Sequence, residues 1–328
     1  MNKVVTGTHL WTTPHPILTS ALAARRCYSI EPIASVVQEI QEKDFSSIDR
    51  LLKRVVREKA LDVFEHVHSY FLIKYLDISY VPSLLESYLK VSPLDDSYYL
   101  ISGNLRAFYN YNNEVIFSIW PKSDILKSIF WNWLKYPMPY LFPLEDDARL
   151  ECSNNGFSEI SYKTANVSLL WRTDINKIND ILPHHLPAFL REKHMAIMIG
   201  IDNISRIMTH QLVRHREFSF DMSSQRFSSA AKENFITPPS IKANKQAFQF
   251  YHIATENSLR NFDILRNEYK VPKEDARFVV PSGIGTKLVM TGSVSAFKHL
   301  IVMRNVSDAQ WEIRGISQQI EEIINFTN

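Results

Sequence analysis

The spacing of apolar residues predicts helices that alternate with a few strands. In the first half, apolar positions recur at helical intervals in three segments, and two compact apolar runs indicate extended structure. The predicted elements are helices near 17–29, 46–59 and 123–135, a strand near 66–74 and a strand-to-helix turn at 98–110.

The second half has the same mixture and one much longer helix. Its predicted elements are a strand near 194–201, helices near 203–215 and 241–268, a helix that starts near 293 and a last helix over about 308–325. The long helix has an apolar face formed by Phe248, Tyr251, Leu259 and Phe262. Ser307 and Gln310 have capping-box spacing, which predicts the start of the last helix.

Two segments of the second half resemble segments of the first. Residues 98–109 (YYLISGNLRAFY) and 287–298 (KLVMTGSVSAFK) share a hydroxyl residue, a glycine and an Ala-Phe pair, and 65–79 resembles 193–205. Either match alone could arise by chance, but their common order favours duplication. A Pro-, Asp- and Asn-rich stretch near 143–160 marks the join. We therefore predict an α+β chain of two divergent copies, 1–150 and 151–328, each with helices packed on a small mixed sheet.

Composition excludes several classes of protein. The chain has 328 residues, 45% of them hydrophobic and 22% charged, as in ordinary globular proteins. A net charge of +2 is too small for a general nucleic-acid binder. We expect no membrane span, no signal peptide and a reduced, cytoplasmic setting, because no long apolar run occurs and Cys27 and Cys152 form no paired motif. Neither GxGxxG nor GxxxxGK is present, so a Rossmann or P-loop site is unsupported.

The segment 204–227, ISRIMTHQLVRHREFSFDMSSQRF, combines an apolar helical pattern with a cationic, hydroxyl-rich loop. Its potential cations are Arg214, His215, Arg216 and Arg226, with Ser219, Ser223, Ser224 and Gln225 between or beside them. Guanidinium groups match phosphate oxygens bidentately, so this composition predicts a phosphate site. A solvated helix end is the alternative. Interleaved phenylalanines favour the phosphate site over it.

The same segment resembles the signature of the flavin-dependent thymidylate synthases. Arg214-His215-Arg216, seven residues and Ser224 give RHRx7S. Further blocks resemble the family in order: AARRCYS (23–29), FEHVHSYF (64–71), EDARFVVP (274–281) and MRNVSDAQWEIR (303–314). The resemblance implies the family fold, which the internal repeats predict twice in one chain, and methylation of dUMP at C5. Methylenetetrahydrofolate would supply the carbon, NADPH the electrons and FAD the hydride-carrying chemistry.

The resemblance also implies roles for individual residues. Those expected to bind the nucleotide are Gln211, Arg214, Ser224, Gln225, Arg226 and Arg277. Those expected at the flavin are Glu65, His66, Asn104, Arg106, His215, Arg216 and His299. Arg304 matches the arginine that faces the uracil ring and is the predicted catalytic residue.

Several of these residues have plainer interpretations. Ser224 reads as a hydrogen-bond donor rather than a nucleophile, since no triad is evident. Arg277 could be a surface cation, and Arg304 could stabilise a helix C-terminus. His66 and His68 could share a strand face, but no third metal ligand is apparent, so we predict no metal.

Three departures from the family pattern shape the expectation. Asp221-Met222 replaces the usual Asn-Glu, so the identity of the nucleotide substrate is not fixed by the resemblance. The flavin-binding N-x-R is Ser293-Val294-Ser295 in the second copy, whereas the first copy has Asn104-Leu105-Arg106 and no RHRx7S. Each copy would thus supply a different part of the active site. A homodimer would then imitate the family's homotetramer, because its two chains would contain four copies of the fold. Alternatives are a methylase or hydroxymethylase of another pyrimidine nucleotide, and a non-catalytic nucleotide- or nucleic-acid-binding homologue.

Overall fold

Two antiparallel sheets organise the protein in a computed structural model that describes residues 4–113, 122–135, 138–141, 162–182, 186–226 and 234–327. The strands are β1 (Thr6–Thr12), β2 (His68–Lys74), β3 (Lys90–Pro93), β4 (Tyr98–Asn104), β5 (Tyr162–Lys163), β6 (Val167–Arg172), β7 (Ala196–Ser205), β8 (Ser219–Met222) and β9 (Gly285–Ser293). The first sheet has the order β1-β2-β4-β3, and the second has the order β5-β6-β7-β9-β8. Every strand pair within the described ranges is antiparallel, so the prediction of a mixed sheet is wrong.

Fourteen α-helices lie in the described part of the chain. They are α1 (Pro16–Tyr28), α2 (Ile33–Glu42), α3 (Phe45–Arg57), α4 (Val81–Glu86), α5 (Leu105–Asn113), α6 (Asp124–Leu134), α7 (Ile175–Asn179), α8 (Ala188–His194), α9 (Arg206–Leu212), α10 (Pro239–Lys242), α11 (Lys245–Asn267), α12 (Lys273–Ala276), α13 (Val294–Arg304) and α14 (Trp311–Thr327). Short 3-10 turns occupy Leu61–His66, Ile78–Tyr80 and Arg277–Val279. The α+β class is confirmed. None of the helices described is both long and apolar enough to cross a bilayer.

Local sequence explains where the predicted helices form. In α3, Asp44 accepts a hydrogen bond from the Ser47 amide, and Ile48, Leu52 and Val55 form its buried stripe. The predictions near 17–29, 46–59, 123–135 and 293 are confirmed within one or two residues. So is the strand-to-helix turn at 98–110.

Three predicted elements differ from the structure. The strand near 194–201 continues to Ser205, whose hydroxyl accepts from the Met208 amide and starts α9 there rather than at 203. The helix near 241–268 is broken, because the Asn244 side chain caps a new helix. The last helix starts at Trp311: Gln310, not Ser307, accepts from the Glu312 and Ile313 amides.

The four strands of the first sheet and strands β6 to β9 of the second have equivalent orders along the chain and the same pairing. β1, β2, β3 and β4 correspond to β6, β7, β8 and β9. A register shift lies between His9 and Trp11 in one sheet and between Leu169 and Trp171 in the other. The two sheets also match in a hydrogen bond just beyond each register shift. The hydroxyl of Thr13 accepts from the His68 amide, and that of Thr173 accepts from the Ala196 amide, each at 2.9 Å.

The two sheets share part of one core. The larger buried cluster joins residues of the first sheet and its helices to Leu170, Trp171, Met198 and Val289 of the second. A second cluster lies between the second sheet and helices α9, α13 and α14. On the predicted apolar face of helix α11, Phe262 is buried, Tyr251 and Leu259 are half-buried, and Phe248 is 38% exposed. The predicted apolar face of this helix is therefore only partly covered.

Candidate active site

A groove of about 770 Å³ lies between the two halves of the chain. One wall comes from β3, β4, α5 and the turn before β2, and the other from β9, α13 and the segment 216–219. Its lining includes Glu65, Lys90, Asn104, Arg106, Lys193, Arg216, Glu217, Ser219, Thr291, Ser293 and Ser295. The structure thus brings together four of the residues predicted at the flavin: Glu65, Asn104, Arg106 and Arg216.

The walls have matching backbones and different side chains. Asn104 caps α5 by accepting from the Ala107 amide, and Ser293 caps α13 by accepting from the Ala296 amide. A Cβ on the preceding glycine would lie 2.7 Å from Leu89 at Gly103 and 2.3 Å from Phe218 at Gly292. The glycine of the repeated motif therefore permits close packing of the neighbouring segment in both halves.

An ion pair marks the first-half wall. Arg106 Nη1 lies 2.6 Å from Glu65 Oε1, and both side chains are partly exposed to the groove. On the opposite wall, the equivalent of Arg106 is Ser295, whose hydroxyl hydrogen-bonds that of Ser293. Only the first-half wall therefore presents the Asn-Leu-Arg side chains predicted to hold a flavin.

His66 lies behind the groove and not on its surface. It is fully buried at the end of a 3-10 turn, so it does not share a strand face with His68. Its Nδ1 hydrogen-bonds the Thr291 hydroxyl at 2.7 Å, and its Nε2 lies 3.2 Å from Asp221 Oδ2. His66 can therefore act on a ligand through Thr291, which does line the groove.

Asp221 is a buried residue that the sequence did not mark as functional. Cys27 Sγ donates to its Oδ1 at 3.1 Å, so one carboxylate faces both Cys27 and His66. Burial, followed by the Asp221 charge, raises the pKa of the Cys27 thiol. The blocks AARRCYS and FEH meet at this carboxylate. Asp221 is identified by these contacts in the structure and not by any spacing in the sequence.

A second group of predicted residues meets at the end of α13. Arg304 Nε donates to His215 Nε2 at 2.9 Å. The pKa of His215 is lowered by burial first, and then by the nearby charges of Arg304 and His299. His215, His299 and Arg304 thus lie together in a group that is separate from the residues that line the groove.

The loop that carries Ser224 is fixed from both sides. The Ser223 carbonyl accepts from Arg206, the Ser223 hydroxyl hydrogen-bonds Thr286, and the Ser224 amide donates to the Cys27 carbonyl at 3.0 Å. Arg214 and Arg226 are exposed, whereas Gln211, Ser224 and Gln225 are half-buried. The loop therefore presents its predicted nucleotide-binding residues near α1 of the first half.

Arg277 stands apart from these groups. Within the described residues, its Nε donates to the Glu274 carbonyl of its own turn, and none of its hydrogen bonds reaches the groove or the loop. The same part of the chain contains no cluster of three or more His, Cys, Asp or Glu residues suited to a metal. Phe227 lies outside the described residues, as do the predicted join near 143–160 and Cys152.

Comparison with known proteins assigns the second half of the chain. The family model described as thymidylate synthase complementing protein matches residues 157–326, and the chain belongs to this family. A flavin-dependent thymidylate synthase of Pyrococcus abyssi is 34% identical over 168 residues, which are 47% of this chain and 68% of the relative. Proteins of the same name from Sulfurisphaera tokodaii and Pyrococcus furiosus are 38% and 35% identical. Each of these two alignments covers 44% of this chain, and they cover 56% and 62% of the respective relatives.

Proposed function

We propose that the protein is a flavin-dependent thymidylate synthase that converts dUMP to dTMP with methylenetetrahydrofolate and NADPH. The observation that carries this proposal is the groove, which joins Glu65, Asn104 and Arg106 of one half to Arg216 of the other. Four cations line it, and a flavin dinucleotide carries a diphosphate that such cations hold well. The residues present therefore fit FAD.

In the proposed mechanism, the chain binds and orients its ligands and stabilises charge. Bound FAD would supply the hydride transfer. Arg106 and Asn104 would hold the flavin from one wall, and Arg216 would hold it from the other. Arg214 and Arg226 bind the nucleotide phosphate, while Gln211, Ser224 and Gln225 donate hydrogen bonds to the nucleotide. Arg277, whose described hydrogen bonds do not reach this loop, stays a predicted nucleotide contact. Arg304, oriented by neutral His215 and near His299, stabilises negative charge that develops on the uracil ring.

The chain is further proposed to contain two copies of the family fold, 1–150 and 151–328, related by a pseudo-two-fold axis. The support is a reciprocal exchange of side chains. His66 of the first half hydrogen-bonds Thr291 of the second, and His194 of the second hydrogen-bonds Ser102 of the first, both at 2.7 Å. The pairing registers make His66 and His194 counterparts, and likewise Thr291 and Ser102. Such reciprocity is typical of an isologous contact.

Division of labour follows from this symmetry. Lys90 and Ser219 occupy equivalent positions, opposite Ser102 and Thr291 respectively. Counting back three residues from each gives Ser87 as the counterpart of Arg216. The first copy thus has no cation where the second has Arg216, and the second has no arginine where the first has Arg106. One working site per chain follows, and a homodimer would imitate the family's homotetramer.

Flavin titration tests the proposal. The purified full chain should bind one FAD and form dTMP from dUMP, methylenetetrahydrofolate and NADPH. Arg106→Ala should weaken FAD binding at least tenfold. Arg54→Ala should not change it, because Arg54 pairs with Glu58 outside the groove lining. Two FAD per chain, or full flavin retention in Arg106→Ala, would refute the division of labour. Absence of dTMP would refute the activity.

A second candidate is methylation of another pyrimidine nucleotide. Met222 replaces the family's usual glutamate, and its half-buried side chain packs against the second core cluster. The loop therefore lacks one carboxylate that contributes to recognition of the nucleotide. Turnover of dUMP, UMP and dCMP should be compared, since exclusive use of dUMP eliminates this candidate.

A further inference from the structure

Two lysines on the groove exchange contacts between the halves. Lys90 Nζ donates to the Lys193 carbonyl at 2.7 Å. Lys193 Nζ donates to the Ser92 hydroxyl at 3.1 Å and to the Val91 carbonyl at 3.4 Å. Both side chains line the groove. The two ammonium groups are therefore held in place by neutral oxygens of the opposite half.

The charges of the groove do not balance. Glu65 is neutralised by Arg106, which leaves Lys90, Lys193 and Arg216 against the single carboxylate of Glu217. Neither lysine ammonium has a carboxylate oxygen within ion-pair distance in the described part of the chain. Lys193 and Arg216 are exposed, so only the half-buried Lys90 ammonium is costly to hold without a counter-ion. Accordingly, burial lowers the pKa of Lys90 to about 8.

The lysines that give the groove its excess positive charge are not repeated at equivalent positions of the two halves. The residue equivalent to Lys193 is Glu65, and the residue equivalent to Lys90 is Ser219. At each pair of equivalent positions, therefore, only one of the two residues is a lysine. Contacts to carbonyl and hydroxyl oxygens alone need only neutral donors, so they do not account for two cations.

We propose that Lys90 and Lys193, together with Arg216, form an anion subsite that binds the phosphate groups of a nucleotide ligand. An ammonium group has three donors. Lys90 uses one and Lys193 uses two on protein oxygens, which leaves three for phosphate oxygens. The proposal rests on the proposed function only for the origin of the phosphate: the diphosphate of FAD or the 2′-phosphate of NADPH.

Calorimetry with inorganic pyrophosphate tests the subsite directly on the full chain. Wild type should bind pyrophosphate, and Lys90→Gln and Lys193→Gln should each bind it at least tenfold more weakly, because Gln keeps a donor and removes the charge. Lys298→Gln is the matched control, since Lys298 pairs with Glu192 at 2.7 Å and does not line the groove. Equal affinity in all four proteins, or no binding by wild type, would overturn the subsite.

Thermal unfolding of the same variants separates binding from a structural role. If the lysines only join the halves, the melting temperature falls while the folded variants keep wild-type affinity, and the proposal fails. Should Lys193→Gln not fold, Lys193→Arg supplies the missing comparison. It keeps the charge and should keep pyrophosphate affinity within a few fold; a tenfold loss in this variant would count against a charge-based site.

Paired ligands identify the source of the phosphate. A diphosphate contact predicts that Lys90→Gln weakens FAD at least tenfold and leaves riboflavin unchanged. A 2′-phosphate contact predicts the same contrast between NADPH and NADH. If neither contrast appears, the assignment to a nucleotide phosphate is wrong. Wild type that binds pyrophosphate but no flavin would refute the proposed function alone, whereas turnover with intact FAD and NADPH affinity in both lysine variants would refute the subsite alone.

Discussion

At the scale of single residues, Asp221 shows how one carboxylate can join distant parts of the chain. It accepts from Cys27 in α1 and faces His66 before β2, while its own strand leads into the loop of Ser224. The resemblance to the family located the blocks that contain Cys27 and His66. It could not show that their side chains converge, because contacts between residues 194 positions apart leave no local pattern. The same limit hid Lys90, whose neighbours in sequence carry no motif.

Cys27 should be a slow nucleophile, and Asp221 should be part of the reason. Burial and the Asp221 charge raise its thiol pKa, so little thiolate forms near neutral pH. We expect Asp221→Asn to speed alkylation of Cys27 by iodoacetamide at pH 8 several-fold. Peptide mass mapping distinguishes Cys27 from Cys152. An unchanged rate at Cys27 would show that burial alone controls the thiol.

Arg304 should affect both turnover and the titration of His215. Arg304→Gln removes a fixed cation, so we expect turnover to fall on the order of 10²-fold. The pKa of His215 should rise, because the Arg304 charge is one of the causes that lower it. Histidine NMR measures the pKa, and single-turnover assays measure the rate. A loss of turnover with an unchanged His215 pKa would contradict the coupling between the two side chains.

At the scale of elements, helices were predicted better than strands. Helical stripes such as Ile48, Leu52 and Val55 repeat regularly, whereas the strand β1 is interrupted by a register shift at His9–Trp11. The shift buries both Leu10 and Trp11, so the alternation that identifies a strand is lost. Strands β3 and β8 have only four residues each, too few for a periodic signal. Strand β3 positions Lys90 and strand β8 positions Ser219, so these two groove residues could not be predicted from periodicity.

The start of α9 depends on a side chain from α14. Buried Glu312 accepts from both the amide and the hydroxyl of Ser205, each at 2.5 Å. Glu312→Ala leaves both donors without this partner and should lower the free energy of unfolding by about 2–3 kcal/mol. Urea denaturation measures the change. Exposed Glu322 on the same helix is the control. A similar loss in Glu322→Ala would contradict a specific role for the Glu312 contact.

At the scale of the whole molecule, buried histidines concentrate near the boundary between the halves. His66 and His194 make the reciprocal contacts, and His68 lies 6.0 Å from Trp171 of the second sheet, measured between ring centroids. The sequence repeats indicated duplication, and the equivalent strand orders agree with it. The sequence could not indicate that the halves pack through exchanged side chains, because contacts between residues far apart in the chain leave no local pattern.

Acid should destabilise the molecule before most carboxylates titrate. Burial lowers the pKa of His68 and His194 to about 3 and that of His9 to about 4, with Lys90 contributing at His68, and Lys90 and Lys193 at His194. The unfolded chain binds these protons near pH 6.5 and the native chain does not. Their contribution is therefore complete above about pH 6.5 and is lost as pH falls toward about 3.

The free energy of unfolding, measured in urea at several pH values, should decline over that window. His194→Gln should flatten the decline by about one proton, whereas substitution of exposed His252 should leave the slope unchanged. If the two variants have the same slope as wild type, the buried histidines do not control the acid transition.

The shared core has a consequence for how the protein forms during synthesis. The larger buried cluster contains residues of the first half together with Val289 of the second half. Translation releases the first half before Val289 leaves the ribosome. Until then, part of the apolar surface of the first half has no packing partner. Once the chain is complete, the two halves are tethered, and dilution cannot separate them as it separates independent subunits. Assembly of the groove thus depends on completing one polypeptide, and not on its concentration in the cell.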